Sequence, residues 1–270
     1  MKNYNQMVIL KDLSKYSKVY LVPLADWHCG EKNVAYDVIQ GYIDWIRNHD
    51  NAFTILNGDL MNAATKGSTP ELYDDLVTPD DSYNKVREML TPIRNRILMI
   101  TRGNHEESIW RSVGHDYMAQ LAYDLGNIDY KPDGGMVGIR LGVGDPPHKG
   151  MCFIYCTHGW GGARTSGAKV NKVEALANVA NVHIVILSHD HTQFVHRLNI
   201  LDPPRSKINF TKPCYMNTQR KLLVNTGGFI RYGGYIQRKG YSPQDLGTPR
   251  IRIELKRSHG DMWIDLHSSI

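Results

Sequence analysis

The sequence predicts an α/β fold, and three observations carry that expectation. Short, largely apolar runs recur at 19–22 (Val-Tyr-Leu-Val), 53–56 (Phe-Thr-Ile-Leu), 97–100 (Ile-Leu-Met-Ile), 151–156 and 182–187. Such runs suit strands buried in a sheet that is covered on both sides. Segments with apolar residues at helical spacing lie between several of them. Each run also stops abruptly at polar residues, above all Asp, Asn and His.

In chain order, the run 19–22 passes through Pro23-Leu24-Ala25 into Asp26-Trp27-His28. Ala35, Val38, Ile39, Tyr42, Ile43 and Ile46 then predict an amphipathic helix covering a sheet. The strand 53–56 ends in Asn57-Gly58-Asp59. Residues 61–82 lack periodicity and carry Asp74, Asp75, Asp80 and Asp81, which reads as a solvated loop. Tyr83, Val86, Leu90 and Ile93 predict a short helix interrupted by Pro92. The run 97–100 leads into Gly103-Asn104-His105-Glu106, and the chain to Leu125 reads as mostly helical, stopped by Gly126. Strands at 136–141 and 151–156 predict a hairpin, the second ending in Thr157-His158-Gly159. Val170, Val173, Ala177 and Ala180 mark another helix, and the strand 182–187 ends in Ser188-His189-Asp190-His191. Residues 192–247 are rich in Pro, Gly and basic residues, with a strand expected at 222–224. Ile251, Ile253 and Leu255 alternate with polar residues and, with 262–266, predict a terminal hairpin. The expected organisation is a single domain over 1–270, with a basic Gly/Pro-rich region at 197–250 and a β-hairpin at 250–267.

The 270 residues suffice for a substantial core. No apolar stretch approaches the roughly 18 residues of a membrane span, and the N-terminus lacks a signal-like apolar segment. These features predict a cytoplasmic protein. Cys29, Cys152, Cys156 and Cys214 form no Cys-x-x-Cys pair, which argues against a disulfide framework. Cys152 and Cys156 read as small core residues. The net charge of +5 is uneven. From Arg205 to Arg257 there are twelve Lys/Arg against Asp245 and Glu254, giving +10 there and −5 elsewhere. That asymmetry suggests either an anionic partner or a solvated surface.

Five strand ends carry candidate ligands: Asp26 and His28, then Asp59, then Asn104 and His105, then His158, then His189 and His191. Sites in open α/β sheets form beyond the carboxyl ends of the strands. A lone His there is commonly structural, but five loaded ends point to a metal centre. Leaving aside His105, the candidates number seven, more than one tetrahedral zinc uses. Two ions can share a carboxylate and clamp an in-line displacement. Two dications with ionised Asp26 and Asp59 leave about +2, which suits a phosphate ester. Mixed oxygen and nitrogen donors favour manganese, with iron or zinc as alternatives.

The ordered set Asp26-Trp27-His28, Gly58-Asp59, Gly103-Asn104-His105-Glu106, His158-Gly159 and His189-Asp190-His191 resembles the calcineurin-like metallophosphoesterase family over roughly residues 19–228. The resemblance implies a two-sheet β-sandwich flanked by α-helices. It implies one metal held by Asp26, His28, Asp59 and His191, and a second by Asp59, Asn104, His158 and His189, with Asp59 bridging. His105 would face the phosphate and the leaving oxygen rather than bind metal. Glu106 is open between orienting His105 and being a solvated or helix-starting acid. Two departures stand out: Ser188 where the family usually has Gly, and Gly228 where many members have a small hydroxyl residue. Ser resists backbone angles that Gly permits, so an altered turn is expected at Ser188.

The resemblance implies a metal-dependent phosphoesterase, with phosphodiesters favoured over monoesters. The chain also resembles the catalytic part of double-strand-break repair exonucleases, so a DNA nuclease stands beside a phosphatase or phosphodiesterase for a small nucleotide. The alternative of another class is a nonhydrolytic metal-containing binding module. Residues 162–169 lack the Lys placement of an NTPase phosphate loop. Arg164 reads as a substrate-phosphate contact or a surface residue. Trp27 and Trp160 read as packing or as base-stacking faces. Aromatics at 210, 215, 229, 232, 235 and 241 interleave with Lys and Arg, a pattern shared by nucleic-acid surfaces and sandwich cores. His183 reads as a core histidine, and His49, His115, His148, His196, His259 and His267 as surface residues.

Overall fold

The computed structural model describes residues 7–62, 77–143, 149–203, 210–238, 240–258 and 261–270. The expected acids Asp74 and Asp75, the connection 144–148 with His148, the basic residues Arg205, Lys207 and Lys239, and His259 lie outside them, as does the side chain of Tyr235.

The chain alternates β1 (Val8–Asp12), β2 (Lys18–Leu24), α1 (Tyr36–Asn48), β3 (Ala52–Asn57), α2 (Pro79–Leu90), a 3-10 helix (Thr91–Arg96), β4 (Ile97–Thr101), α3 (Asn104–Val113) and α4 (Tyr117–Asp124). It continues with β5 (Gly135–Leu141), β6 (Gly150–Thr157), α5 (Ser166–Ala177), β7 (Ile184–Leu187), β8 (Phe194–Asp202), β9 (Asn217–Asn225), α6 (Gly234–Arg238), β10 (Arg250–Ser258) and β11 (Asp261–Ser269). These strands form two mixed sheets, ordered β1-β5-β6-β7-β9-β8 and β11-β10-β2-β3-β4. The architecture is the two-sheet α/β sandwich that the motifs implied.

The apolar runs explain the layers. Val19, Leu21, Phe53 and Ile55 face Val137, Ile154, Ile186 and Leu222 across the space between the sheets. The alternate residues Val22, Leu24 and Leu56 pack outward against Ile39, Ile43 and Ile46 of α1 and Val86 and Leu90 of α2. Strands β3, β4 and β7 are buried at every position because both faces are covered. Leu223 and Val185 meet Val173 and Leu176 of α5 on the outer face of the larger sheet.

Several local expectations change. Asp80 and Asp81 do not sit in a loop: they occupy the first turn of α2, where Asp81 completes a capping box with Thr78. Acids there complement the positive end of the helix dipole. The region 192–247 holds more than the strand expected at 222–224. There β8 pairs antiparallel with all of β9, from Phe194 opposite Asn225 to Asp202 opposite Asn217. As an edge strand, β8 alternates half-buried and exposed residues and carries no long apolar run. Strand β1 is also an edge strand, held parallel to β5.

Strands β2, β3 and β4 run parallel to one another, as do β6, β7 and β9. This places the carboxyl ends of β2, β3 and β4 along one edge of their sheet and those of β6 and β7 along one edge of the other. Hydrogen bonds join the two edges. The Asn57 side-chain amide donates to the Thr157 carbonyl at 2.8 Å and to Ser188 Oγ at 2.7 Å.

Candidate metal centre

The backbone beyond the strand ends is forced into an uncommon conformation. Asp26, His28, Asp59, His189 and His191 all have φ between 50° and 73°. Among the described residues, Asn127 is the only other non-glycine residue with positive φ. Strain of this kind persists where the surrounding contacts over-determine it, and it gathers at functional sites. Here a backbone ladder supplies the contacts: Asp26 N–H donates to the Gly58 carbonyl at 3.1 Å and His28 N–H to the Asp59 carbonyl at 3.0 Å. Ser188 is not among the positive-φ residues, so the turn needs no glycine at that position.

Asp26 is fully buried. Its Oδ2 accepts the His189 backbone N–H at 3.1 Å, while Oδ1 is buried without a hydrogen-bond partner. That orphaned oxygen lies 3.6 Å from His191 Nε2 and 3.9 Å from His28 Nε2. The two Nε2 atoms are 3.2 Å apart, with their rings stacked. Asp59 Oδ2 lies 3.8 Å from His28 Nε2 and 3.1 Å from His158 Nε2, so one carboxylate oxygen serves both sides of the cluster. On the far side, Asn104 Oδ1 lies 3.2 Å from His158 Nε2 and 2.7 Å from His189 Nδ1.

These separations suit cations. Donors about 2.0–2.2 Å from one ion stand roughly 3–3.5 Å apart from one another. The second hydrogen bonds also orient the rings. His158 Nδ1 donates to the Asn57 carbonyl at 2.7 Å, and His189 Nε2 donates to the Gly161 carbonyl at 2.8 Å. Each ring thus turns its other nitrogen inward, as metal-bound imidazoles do. Asp26, His28 and His191 form one metal-competent group, and Asp59, His158 and His189 another. His105 also lies within reach of His28 and Asp59, so proximity alone does not separate it from the ligands. Its Nδ1 donates to the Asn62 carbonyl at 2.5 Å, while its backbone N–H donates to Asp59 Oδ1 at 2.9 Å.

The electrostatics show the cost of assembling this donor set. Burial raises Asp26 to about 8, with the Asp59 charge adding to the effect. Burial lowers His191 to about 3 and holds His28 well below its ordinary value. Burial works against a charged His158 too, but the Asp59 carboxylate beside it overcomes this and lifts the ring to about 10. Asp59 is correspondingly held well below the usual carboxylate range: burial would raise it, and His158 and the other imidazoles prevail. Without a cation, the cluster relies on protons to offset its buried charge. Metal ions would replace them.

Surrounding residues that the sequence left unassigned hold the geometry. Glu106 is fully buried, which overturns the solvated-acid expectation. It stands in the first turn of α3 but does not bond His105. Its carboxylate accepts backbone N–H groups from Asp59 at 3.0 Å, Met61 at 3.0 Å and Gly103 at 2.9 Å. Lys172 donates to both oxygens of the buried Asp190 at 2.8 Å, fixing the turn that presents His189 and His191. At Gly228, an added Cβ would stand 2.5 Å from His191 Nδ1, so the departure from a hydroxyl residue leaves room for that ring.

Other singled-out residues lie away from the ligands or pack around them. Trp27 is buried against Phe229, whereas Trp160 is 53% exposed. His183 is half-buried and accepts the Phe153 backbone N–H at 3.1 Å. His49 is not a free surface residue: it stacks on Trp45 at 4.1 Å. His196 is half-buried beside Glu174, while His115 and His267 are exposed. Cys29, Cys152 and Cys156 are buried and unpaired, and Cys214 is exposed. Part of the basic tract is internally neutralised, with Arg231 on Asp37 and Arg252 and Lys256 on Asp265. Phe210 and Tyr215 of the same tract are strongly exposed. Among the described residues, no helix is long and apolar enough to cross a membrane.

No family model and no curated protein matches the chain. Solved structures do. One is wild-type Vps29 complexed with zinc from Entamoeba histolytica, at 10% identity over 93% of this chain and 99% of that one, with a TM-score of 0.38. Another is a predicted phosphoesterase from Streptococcus pneumoniae, at 14% identity over 92% and 88%, with a TM-score of 0.37. A third is GAP50, the anchor in the inner membrane complex of Plasmodium, at 11% identity over 88% and 81%, with a TM-score of 0.47. Independently of these neighbours, the chain forms two mixed sheets flanked by helices, with the five candidate-bearing strand ends at their shared edge.

Proposed function

We propose that the chain is a two-metal phosphoesterase that hydrolyses phosphodiester bonds, with manganese as the preferred ion. The observation that carries the reading is the position of Asp59 Oδ2, shared between His28 on one side and His158 on the other. Asp26, His28, His191 and Asp59 would hold one ion, and Asp59, Asn104, His158 and His189 the second. When bound, such a pair supplies a nucleophilic water at neutral pH and neutralises charge on the phosphoryl oxygens.

The chain's own residues do the rest. The carboxylates and imidazoles are already gathered at one edge and would hold both cations in place before substrate arrives, so little reorganisation would be needed at the moment of reaction. His105, whose Nδ1 donates to the Asn62 carbonyl, stands beside His28 and Asp59, where its imidazole would carry a proton to the leaving oxygen. A DNA nuclease and a phosphodiesterase or phosphatase of small nucleotides both fit this chemistry. The exposed Phe210 and Tyr215 support a nucleic-acid partner, and the ion pairs of Arg231, Arg252 and Lys256 reduce the free basic surface.

The test is hydrolysis of bis-p-nitrophenyl phosphate with manganese, followed by linear DNA, RNA, cyclic dinucleotides and phosphomonoesters. Turnover of the generic diester supports the hydrolase. Absence of turnover with manganese, iron and zinc alike supports a nonhydrolytic metal-containing module. Intact linear DNA beside cleaved small nucleotides removes the nuclease.

A further inference from the structure

Beside the ligand His191 stands a group of residues that the ligand scheme does not use. The Tyr241 ring lies 5.4 Å from the His191 ring. The guanidinium of Arg164 sits over the same tyrosine, 5.1 Å from its centroid, and Lys169 Nζ approaches it at 5.6 Å. Arg164 and Lys169 precede and open α5, just after the His158-Gly159-Trp160 turn.

Asp26, Asp190, Asp59 and Arg164 all act on Tyr241 through their charges, but Arg164 is not ion-paired to any of these carboxylates. The Asp190 carboxylate is already taken by Lys172 through both oxygens. Lys169 is 5% exposed, and among the described residues its ammonium donates to the Asp190 carbonyl at 3.1 Å and to Thr192 Oγ1. Both of those acceptors are neutral. Among the described residues, neither Lys169 nor Arg164 has a carboxylate within ion-pair distance. The one carboxylate charge that favours Lys169, that of Asp190, is shared with Lys172, and a guanidinium stacked on an aromatic ring can turn its N–H edge to an anion. Trp160, 53% exposed and one residue beyond Gly159, presents an indole beside the same turn.

We infer that Arg164, Lys169 and Tyr241 form a specificity subsite for a second phosphate of the substrate, flanking the one that is cleaved. The inference rests on the phosphoesterase reading of the neighbouring centre. The ligand class is a compound with at least two phosphates. The second phosphate comes either from the adjoining nucleotide of a strand or from the pyrophosphate of a free nucleotide. Arg164 offers a planar fork to phosphate oxygens, and Lys169 adds field from behind the ring. Arg164 acts here as a specificity-determining residue and has no part in the bond that breaks.

The experiment has a binding arm and a turnover arm. Binding of inorganic pyrophosphate to the manganese-loaded full chain is followed by calorimetry, for wild type, Arg164→Ala and Arg164→Lys. Wild type should bind at least about tenfold more tightly than Arg164→Ala, with Arg164→Lys intermediate, since a charge-assisted bond to phosphate is at stake. Metal content should be equal in all three. In turnover, kcat/KM for a dinucleotide with a 5′-phosphate and for a nucleoside diphosphate ester should fall about tenfold in Arg164→Ala, largely through KM, while bis-p-nitrophenyl phosphate is cleaved as before. Loss on the dinucleotide alone assigns the strand source, and loss on the diphosphate ester alone assigns the free nucleotide. Pyrophosphate binding unchanged in Arg164→Ala, or equal loss on the single-phosphate diester, overturns the subsite. If wild type cleaves no ester yet binds pyrophosphate in an Arg164-dependent way, the hydrolase reading fails and the subsite stands.

Discussion

The buried carboxylate of Glu106 accepts the backbone N–H of Asp59 at 3.0 Å. Through this bond the first turn of α3 holds the residue that serves both halves of the centre. The other contacts of Glu106 go to Met61 and Gly103, so one side chain pins two loops. Burial and the Asp59 charge push this carboxyl above its ordinary value, while the Met61 N–H and the neighbouring imidazoles pull it down. Glu106→Gln keeps the shape but turns an amide NH2 toward N–H donors. An unsatisfied buried donor costs about 1–3 kcal/mol, or several degrees of Tm in a chain of this size. Thermal unfolding should show that loss, and calorimetry should show weaker metal binding. Unchanged Tm and metal affinity would mean that the loops hold themselves.

His105 is expected to separate chemistry from metal binding. His105→Asn removes the imidazole that faces the cluster but none of the seven proposed ligands. Turnover should fall by roughly 10²–10⁴-fold, the usual contribution of general acid catalysis. Two metal ions per chain should remain by elemental analysis. Loss of an ion in this variant would move His105 among the ligands, as its closeness to His28 and Asp59 allows.

The legibility of the site follows from its chemistry. The proposed ligands are Asp, His and Asn residues that each follow an apolar strand, so their gathering at one edge could be expected from the sequence. What holds them could not. Lys172 reaches Asp190 from an α5 face that in sequence looks like any charged helix surface. The burial of Glu106 depends on three backbone groups, two of them more than forty residues away. Among the elements, central strands such as β3 and β7 announce themselves because both faces are apolar. Edge strands β1 and β8 do not, because their stability comes from the ladder with β5 and β9 rather than from their own burial.

Metal binding should release protons. Burial raises Asp26, and the Asp59 carboxylate raises His158 against its own burial, so both hold protons more readily in the metal-free cluster and must lose them to coordinate. Affinity should therefore weaken as pH falls from 8 to 6, and manganese should acidify a weakly buffered solution. At a hundredfold excess over Kd the stabilisation is about 2.7 kcal/mol, read as a rise in Tm. Asp59→Asn, which removes the shared carboxylate, should abolish most of that rise. A pH-independent affinity would contradict the proton exchange.

His183 provides a pH effect away from the ligands. Burial lowers its pKa below the ordinary 6.5, with Lys221 adding to the shift. The unfolded chain thus binds the proton more readily, and stability rises with pH across the interval between the two values. Equivalently, stability is lost as pH falls below about 6.5 and levels off once the folded histidine also protonates. His183→Asn retains an acceptor for the Phe153 N–H but cannot titrate. Chemical denaturation at pH 8 and pH 5, with wild type and variant side by side, should show a smaller acid loss in the variant. Parallel pH profiles would place the acid sensitivity elsewhere.

Ser188 turns a departure from the family pattern into a structural prediction. Its hydroxyl meets the Asn57 amide at 2.7 Å and Thr226 Oγ1 at 2.9 Å, and Thr101 Oγ1 donates to Asn57 Oδ1 at 3.1 Å. All four residues are fully buried. The same Asn57 offers its carbonyl to His158 Nδ1, so the chain of hydroxyls crosses from one sheet to the other directly behind a proposed ligand. A buried network is valuable when every member is satisfied and costly when one is missing. Ser188→Ala leaves Thr226 without its acceptor and Asn57 with one acceptor fewer. The loss should be about 1–3 kcal/mol. Ser188→Gly should cost at least as much, because the backbone here has no need of glycine and gains only unfolded-state entropy. If Ser188→Gly instead matched wild type in Tm and metal affinity, the Ser188 hydroxyl would contribute nothing to joining the sheets, and His158 would need no support from the network behind it.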